Sequence, residues 1–250
     1  MNDLIYKNVL LSSKEMRVLA AYCGMETLRI MSEYRQEELD PQEVNETVFQ
    51  LYQKGILCWN GENQYTLRDE IKALFRNMKY AEKELEVRSK SQKSPLHCFW
   101  HKEIVVTEIS QNDVDRIKIH QTKQKEFLEE LMERGMVPLL TGTKQDESEQ
   151  EAWKDLWENF QKKYSEILQD ARRSEEQMEN LLSEEKELKA YIIVYDRMTG
   201  KEEQTILFLA DELYGCMVVL EKNATHAKNL DMTNLQKLFS QQIEEGDDRA

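Results

Sequence analysis

The chain has 250 residues, 40% of them hydrophobic and 33% charged, which is enough for one or two domains with cores of their own. Its formal net charge of −14 opposes phosphate binding, because nucleic-acid affinity rests on Lys and Arg displacing counterions. The opening run MNDLIYKNVLLSSKEM carries Asp3 and only a short apolar stretch, so it reads as neither secretory signal nor transit peptide; no later segment is apolar for long enough to span a bilayer, and a cytoplasmic location is expected.

LSSKEMRVLAAYCG predicts a first helix with Met16, Leu19, Ala20 and Cys23 on one face. A second helix is signalled three ways: Asp40 suits the N-cap, Pro41 the first helical position and Glu43 the reciprocal place of a capping box. Gly55 stops it, and ILCW, the turn Asn60-Gly61 and QYTL follow as a hairpin. RDEIKALFRNMKYAEKELEVRSK then reads as one helix burying Ile71, Leu74, Phe75 and Met78. Residues 1–93 are thus expected to form a winged-helix-like lobe. Acids and bases nearly balance within it, but the presumed recognition helix offers Glu43, Glu46, Gln50, Gln53 and Lys54, a face poor in phosphate contacts.

Residues 94–137 predict a β-hairpin and a helix: LHCFWHKEIVVTEIS and DRIKIHQT as two strands about QNDV, then KQKEFLEELMERG ended by Gly135. Residues 138–152 are a turn-rich, charged linker. From Trp153 to Leu188, apolar residues recur at alternating steps of four and three, a heptad seam with Ser174 and Glu185 in its gaps. One continuous helix on the order of 55 Å long is expected there. The rest of the segment 153–250 holds three antiparallel strands, turning at Thr199-Gly200 and around Asp211 to Gly215, and a closing helix TNLQKLFSQQI. The fold class is therefore α+β. YIIVY, ILFLA and CMVVL are apolar on both sides, so this sheet is covered on two faces, by its own chain or by a partner.

Signals for chemistry are sparse. Nothing forms a nucleotide-cradling glycine loop, and no serine stands in a nucleophile elbow. The four cysteines lie far apart, mostly in apolar runs, as reduced core thiols would. HCFWH gathers possible metal ligands, but on one strand His97 and His101 share a face while Cys98 points away, so no metal and no cofactor is expected. The chain reads as not an enzyme.

The order of elements, from LSSKEMRVLAAYCG through the two-lobed body to the tail YIIVYDRMTGKEEQTILFLADELYGCMVVLEKNATHAKNLDMTNLQKLFSQQI, resembles EspG-type chaperones of bacterial type VII secretion, with EsaE-like adaptors a second possibility. Asp196 to Gly200 matches the family's Asp-x-x-x-Gly turn, and Tyr214-Gly215 replaces its Gly-Trp type corner. The resemblance implies a cytosolic chaperone for a helical-hairpin secreted protein, with partner contacts around the sheet and C-terminal helices. By position these are Tyr191, Ile193, Tyr195, Phe208, Leu213 and Tyr214. Neither nucleic acid nor membrane is expected as a partner; a homodimer is possible. The alternative is a winged-helix transcription regulator dimerised through the long helix, and a third class is a small-ligand or metal-dependent enzyme built on HCFWH.

Overall fold

Ser12 and Asp40 each end an extended stretch and begin a helix by the same device. Ser12 accepts the Glu15 N–H at 3.2 Å while its own N–H donates to Glu15 Oε2 at 2.7 Å; Asp40 and Glu43 exchange the equivalent bonds at 2.8 and 3.1 Å. The computed structural model describes residues 8–25, 28–33, 39–62, 64–101, 103–110, 113–138, 152–169, 174–211, 214–222 and 224–247. The protein is α+β, and its chain divides into two compact units, Met1–Glu84 with Leu96–Lys123, and Leu85–Pro95 with Gln124–Ala250.

In the first unit β1 (Val9–Ser12) leads into α1 (Ser13–Tyr22), followed by α2 (Pro41–Gln53), the hairpin β2 (Leu57–Trp59) and β3 (Tyr65–Leu67), and α3 (Asp69–Lys79). Gly55 and Gly61 take φ of 67° and 81°, which allow the helix stop and the tight turn. The helix, hairpin and helix order expected of the lobe is present. Its core joins Met16, Leu19, Leu51, Ile71, Phe75 and Met78. The same unit contains β5 (Leu96–Trp100), β6 (Ile104–Ser110) and β7 (Asp113–Thr122), in the order β1-β7-β6-β5. Antiparallel pairing of Val9 with Ile119 and Leu11 with Ile117 makes the lobe and these strands share one core, so the chain does not divide at 93/94 as expected.

The second unit carries the strand order β4-β8-β9-β10-β11, where β4 is Lys83–Ser89, β8 Leu188–Asp196, β9 Glu202–Ala210, β10 Gly215–Glu221 and β11 Thr225–Asn229. Its helices are α4 (Gln124–Glu133), α5 (Ala152–Lys163), α6 (Ser165–Gln169), α7 (Glu175–Glu184) and α8 (Met232–Asp247). On one sheet face Tyr191, Ile193, Leu207, Leu209 and Val218 pack with Phe160, Leu168, Met178 and Leu181 from the helices. Alternation turns Ile192, Ile206, Phe208 and Met217 to the opposite face, where they too are buried. Phe127 of α4 meets Phe239 of α8 edge to face at 6.1 Å, which is why α4 belongs to this unit rather than to the hairpin before it.

Four expectations need correction. The helix over 68–90 stops at Lys79, and Leu85 and Val87 bury alternate positions of β4 instead. The strand expected over 96–110 is two strands, β5 and β6, folded back so that Trp100 pairs with Ile104. The long helix is three: α5 ends before Tyr164, and Ser174 opens α7 through a capping box with Gln177 at 3.1 and 2.7 Å. Its apolar seam is spent on the chain's own sheet, since Phe160, Met178 and Leu181 are buried there. The C-terminal sheet has more than three strands, with β4 and β11 flanking β8 to β10. Of the linker expected at 138–152, residues 139–151 lie outside the described residues.

Candidate functional site

The residues expected to meet a partner do not form one surface. Tyr191, Ile193 and Phe208 are buried in the sheet core, on two different faces, and offer nothing to an incoming molecule. Strands apolar on both sides are buried on both sides, and here the chain itself supplies much of the cover. Tyr195 and Tyr214 are half-buried, and Leu213 lies outside the described residues. Asp196 to Gly200 forms the expected turn: Asp196 Oδ1 accepts the Thr199 N–H at 2.6 Å, and Gly200 has a φ of 65°.

Tyr214 belongs to a cleft of about 490 Å³ in the second unit. Leu156 and Phe160 of α5 give it an apolar wall; Glu185 and Glu187, between α7 and β8, and Asp211, at the β9–β10 corner, supply carboxylates. Glu185 is buried and accepts from Tyr164 Oη at 2.5 Å and Lys163 Nζ at 2.7 Å. Burial would push its carboxyl up, but hydrogen bonds from Glu187, Lys163 and Tyr164 outweigh this and lower it to about 2. A depressed carboxylate contributes stability above its unfolded-state value, about 4.3, and loses that contribution as pH falls through the folded value. Wild type is therefore expected to lose stability between about pH 5 and pH 2 more steeply than Glu185→Gln, the two curves converging at the acid end. Urea midpoints at a series of pH values check this, and parallel curves would refute it.

In the first unit the exposed aromatic side chains gather around the β2–β3 hairpin. Tyr22, Phe49, Tyr52 and Trp59 are 56%, 53%, 43% and 47% exposed. Tyr65 links three of them: its ring lies 5.6 Å from that of Tyr52 and 5.1 Å from that of Trp59, and its carbonyl accepts from Tyr22 Oη at 3.1 Å. Phe49 sits one helical turn before Tyr52 on α2. Sequence reasoning missed this surface. Phase was a signal for Phe49, which falls off the α2 stripe of Thr47 and Leu51, but not for Trp59, which alternation places on the same strand face as the buried Leu57. Two cations of this region are already matched, Lys54 to the buried Glu15 at 2.7 Å and Lys14 to Glu43 at 2.6 Å.

The HCFWH segment does not converge on an ion. His97 lies within β5 with Nδ1 4.0 Å from Glu84, whereas His101 falls beyond the strand, 3.9 Å from Glu82. Among the described residues no group of three or more His, Cys, Asp or Glu side chains is placed to hold a metal, and no helix is long and apolar enough to cross a membrane. Cys98 and Cys216 are buried, as expected, but Cys58 is exposed on the hairpin. Compared with models of known protein families the chain matches none, and comparison with curated proteins gives no match.

Proposed function

We propose that this chain is a non-enzymatic adaptor or chaperone that binds a helical secreted protein, as in type VII secretion, and keeps it soluble for export. The observation that carries the reading is the aromatic surface of Tyr22, Phe49, Tyr52 and Trp59, whose rings are held by a folded helix and hairpin yet left half open to solvent. Tyr and Trp supply large contact area at small cost in side-chain freedom, and they dominate binding hot spots. An amphipathic helix docks on such a surface by its apolar stripe. The EspG-like order of elements supports the same class of partner.

Trp59→Ala combined with Phe49→Ala is expected to weaken partner binding by at least about 30-fold, the usual effect of losing aromatic anchors, while the melting temperature stays nearly unchanged. Co-purification of the tagged chain from its native host, followed by titration of the recovered partner, measures this. Recovery of no partner, or equal affinity in the variant, counts against the reading.

The helix and hairpin order also favours a second reading, a winged-helix DNA-binding regulator. Against it stands the pairing of Lys54 and Lys14 with carboxylates on the face that would meet phosphates. Titration with arbitrary duplex at low salt is expected to show no binding in the micromolar range; salt-sensitive binding there would reverse the preference.

A further inference from the structure

The turn that joins β2 to β3 carries the chain's single Asn-Gly pair, Asn60-Gly61. Asn60 closes the turn twice. Its N–H donates to the Gln64 carbonyl at 3.1 Å, and its Oδ1 accepts the N–H groups of Glu62 at 2.9 Å and Gln64 at 3.2 Å. Gly61 is exposed, takes a φ of 81°, and has nothing within 4 Å of the point where a side chain would begin. A side-chain carbonyl polarised by two main-chain donors therefore directly precedes a main-chain nitrogen that no side chain crowds. Trp59 and Tyr65 are the last strand pair before the turn, with their rings edge to face at 5.1 Å.

We propose that Asn60 is a site of spontaneous self-modification, converted through a cyclic imide with Gly61 into aspartate and isoaspartate, and that isoaspartate at this position opens the Trp59–Tyr65 contact. The Gly61 nitrogen gives its proton to solvent base and attacks Asn60 Cγ. Negative charge then collects on Oδ1, where the Glu62 and Gln64 N–H groups receive it as oxyanion donors do. The Cγ–Nδ2 bond breaks, the side-chain amide leaves as ammonia, and a five-membered imide remains. Because nucleophile and carbonyl belong to neighbouring residues, ring closure is intramolecular. Water opens the ring. Addition at Cγ gives aspartate, and addition at the main-chain carbonyl carbon gives isoaspartate, with the chain now running through Cβ and Cγ. Overall a water is consumed and an ammonia released, with nothing oxidised or reduced. Aspartate keeps the Oδ1 acceptor and the turn with it. Isoaspartate inserts a methylene into the main chain between Trp59 and Tyr65, so the closure of Asn60 on Gln64 no longer holds the two rings in register. The modification needs no partner; its consequence for docking rests on the adaptor reading, since the affected ring belongs to the aromatic surface.

The full chain, kept folded, is aged in mildly alkaline and mildly acidic buffer and followed by peptide mapping with mass spectrometry, with an isoaspartate methyltransferase reporting isoaspartate. The peptide containing Asn60 is expected to gain the mass difference between an amide and an acid and to accept methyl groups. The gain should be faster in alkaline buffer, where more of the Gly61 N–H is deprotonated. Asn60→Ser keeps an acceptor in the turn but has no amide to lose, and should show neither change. Near-UV circular dichroism of aged wild type should lose the Trp59–Tyr65 signal. That loss should be absent from aged Asn60→Ser and aged Trp59→Phe, and from fresh Asn60→Asp, which carries the charge without the added methylene. No mass gain in the folded chain, or a gain only in urea, overturns the proposal, and an equal dichroism loss in fresh Asn60→Asp overturns the part given to isoaspartate. Aged wild type should also bind the native partner at least about tenfold more weakly than fresh protein, as loss of an aromatic anchor does. Equal binding by aged protein that has lost the dichroism signal would remove the aromatic surface as the docking site while the modification at Asn60 stands.

Discussion

Phe208→Ala is expected to destabilise the protein by about 3–5 kcal/mol and lower its melting temperature by roughly 10 °C, the cost of a large cavity in a core that cannot collapse around it. Phe208 is wholly buried, flanked across the sheet by Ala190 of β8 and Met217 of β10. Small Ala190 on one side leaves the ring as the main filler of its layer, so truncation creates a void rather than a gap its neighbours close. Tyr191→Phe is the informative comparison. The Tyr191 hydroxyl is buried without a hydrogen-bond partner among the described residues, and its proton is held tightly because burial disfavours the phenolate. Removing it deletes an unsatisfied polar atom and keeps the ring, so stability should stay level or rise by up to about 1 kcal/mol. Thermal melts and urea titrations of both variants measure these effects. A Phe208→Ala protein that melts like wild type but loses its partner would return this face of the sheet to the surface role first expected of it.

That pair of residues shows where sequence reading was sound and where it misled. The apolar character of YIIVY and ILFLA on both sides correctly required burial on two faces, and the same fact should have removed Tyr191, Ile193 and Phe208 from any exposed site. Local signals with a short mechanism were legible: the reciprocal cap of Asp40 and Glu43, the stop at Gly55, the turn at Asn60-Gly61 and the Asp196 to Gly200 loop all stand where their chemistry puts them. The heptad seam was legible as burial but not as continuity. A period of three and four survives a helix break if each piece keeps its stripe on the same sheet, and the capping box of Ser174 with Gln177 was the sign that a new helix begins. β4 was hidden by its place in the chain. Glu84, Glu86 and Arg88 alternate with Leu85 and Val87, a period of two that the run-on from α3 masked, and Glu84 and Glu86 are buried as well as the apolar pair. Exposure of Trp59 was not legible, because it shares a strand face with the buried Leu57 and is open only for want of tertiary neighbours, which spacing does not show.

The buried charge on β4 sets up the other large effect. Arg88 reaches Glu86 on its own strand at 2.5 Å and also Glu175 and Glu179, one turn apart on α7. Burial opposes its charge, but the Glu86 hydrogen bond and the field of the carboxylates raise its affinity for the proton well above that of a free arginine. The partners are unequal. The side chains of Glu175 and Glu179 are about half exposed, whereas that of Glu86 is only 5% exposed. Arg88→Met should therefore cost about 3–5 kcal/mol, almost all of it from leaving Glu86 buried without a counterion. Glu175→Gln and Glu179→Gln should each cost less than about 1 kcal/mol, as exposed ion pairs do. Combining Arg88→Met with Glu86→Leu should recover most of the loss, because an apolar pair of similar volume leaves no unpaired charge in the strand. A double-mutant cycle by urea denaturation reads the coupling directly. If Arg88→Met costs no more than Glu175→Gln, Glu86 is solvated in the native state and this ion pair is not what joins α7 to β4.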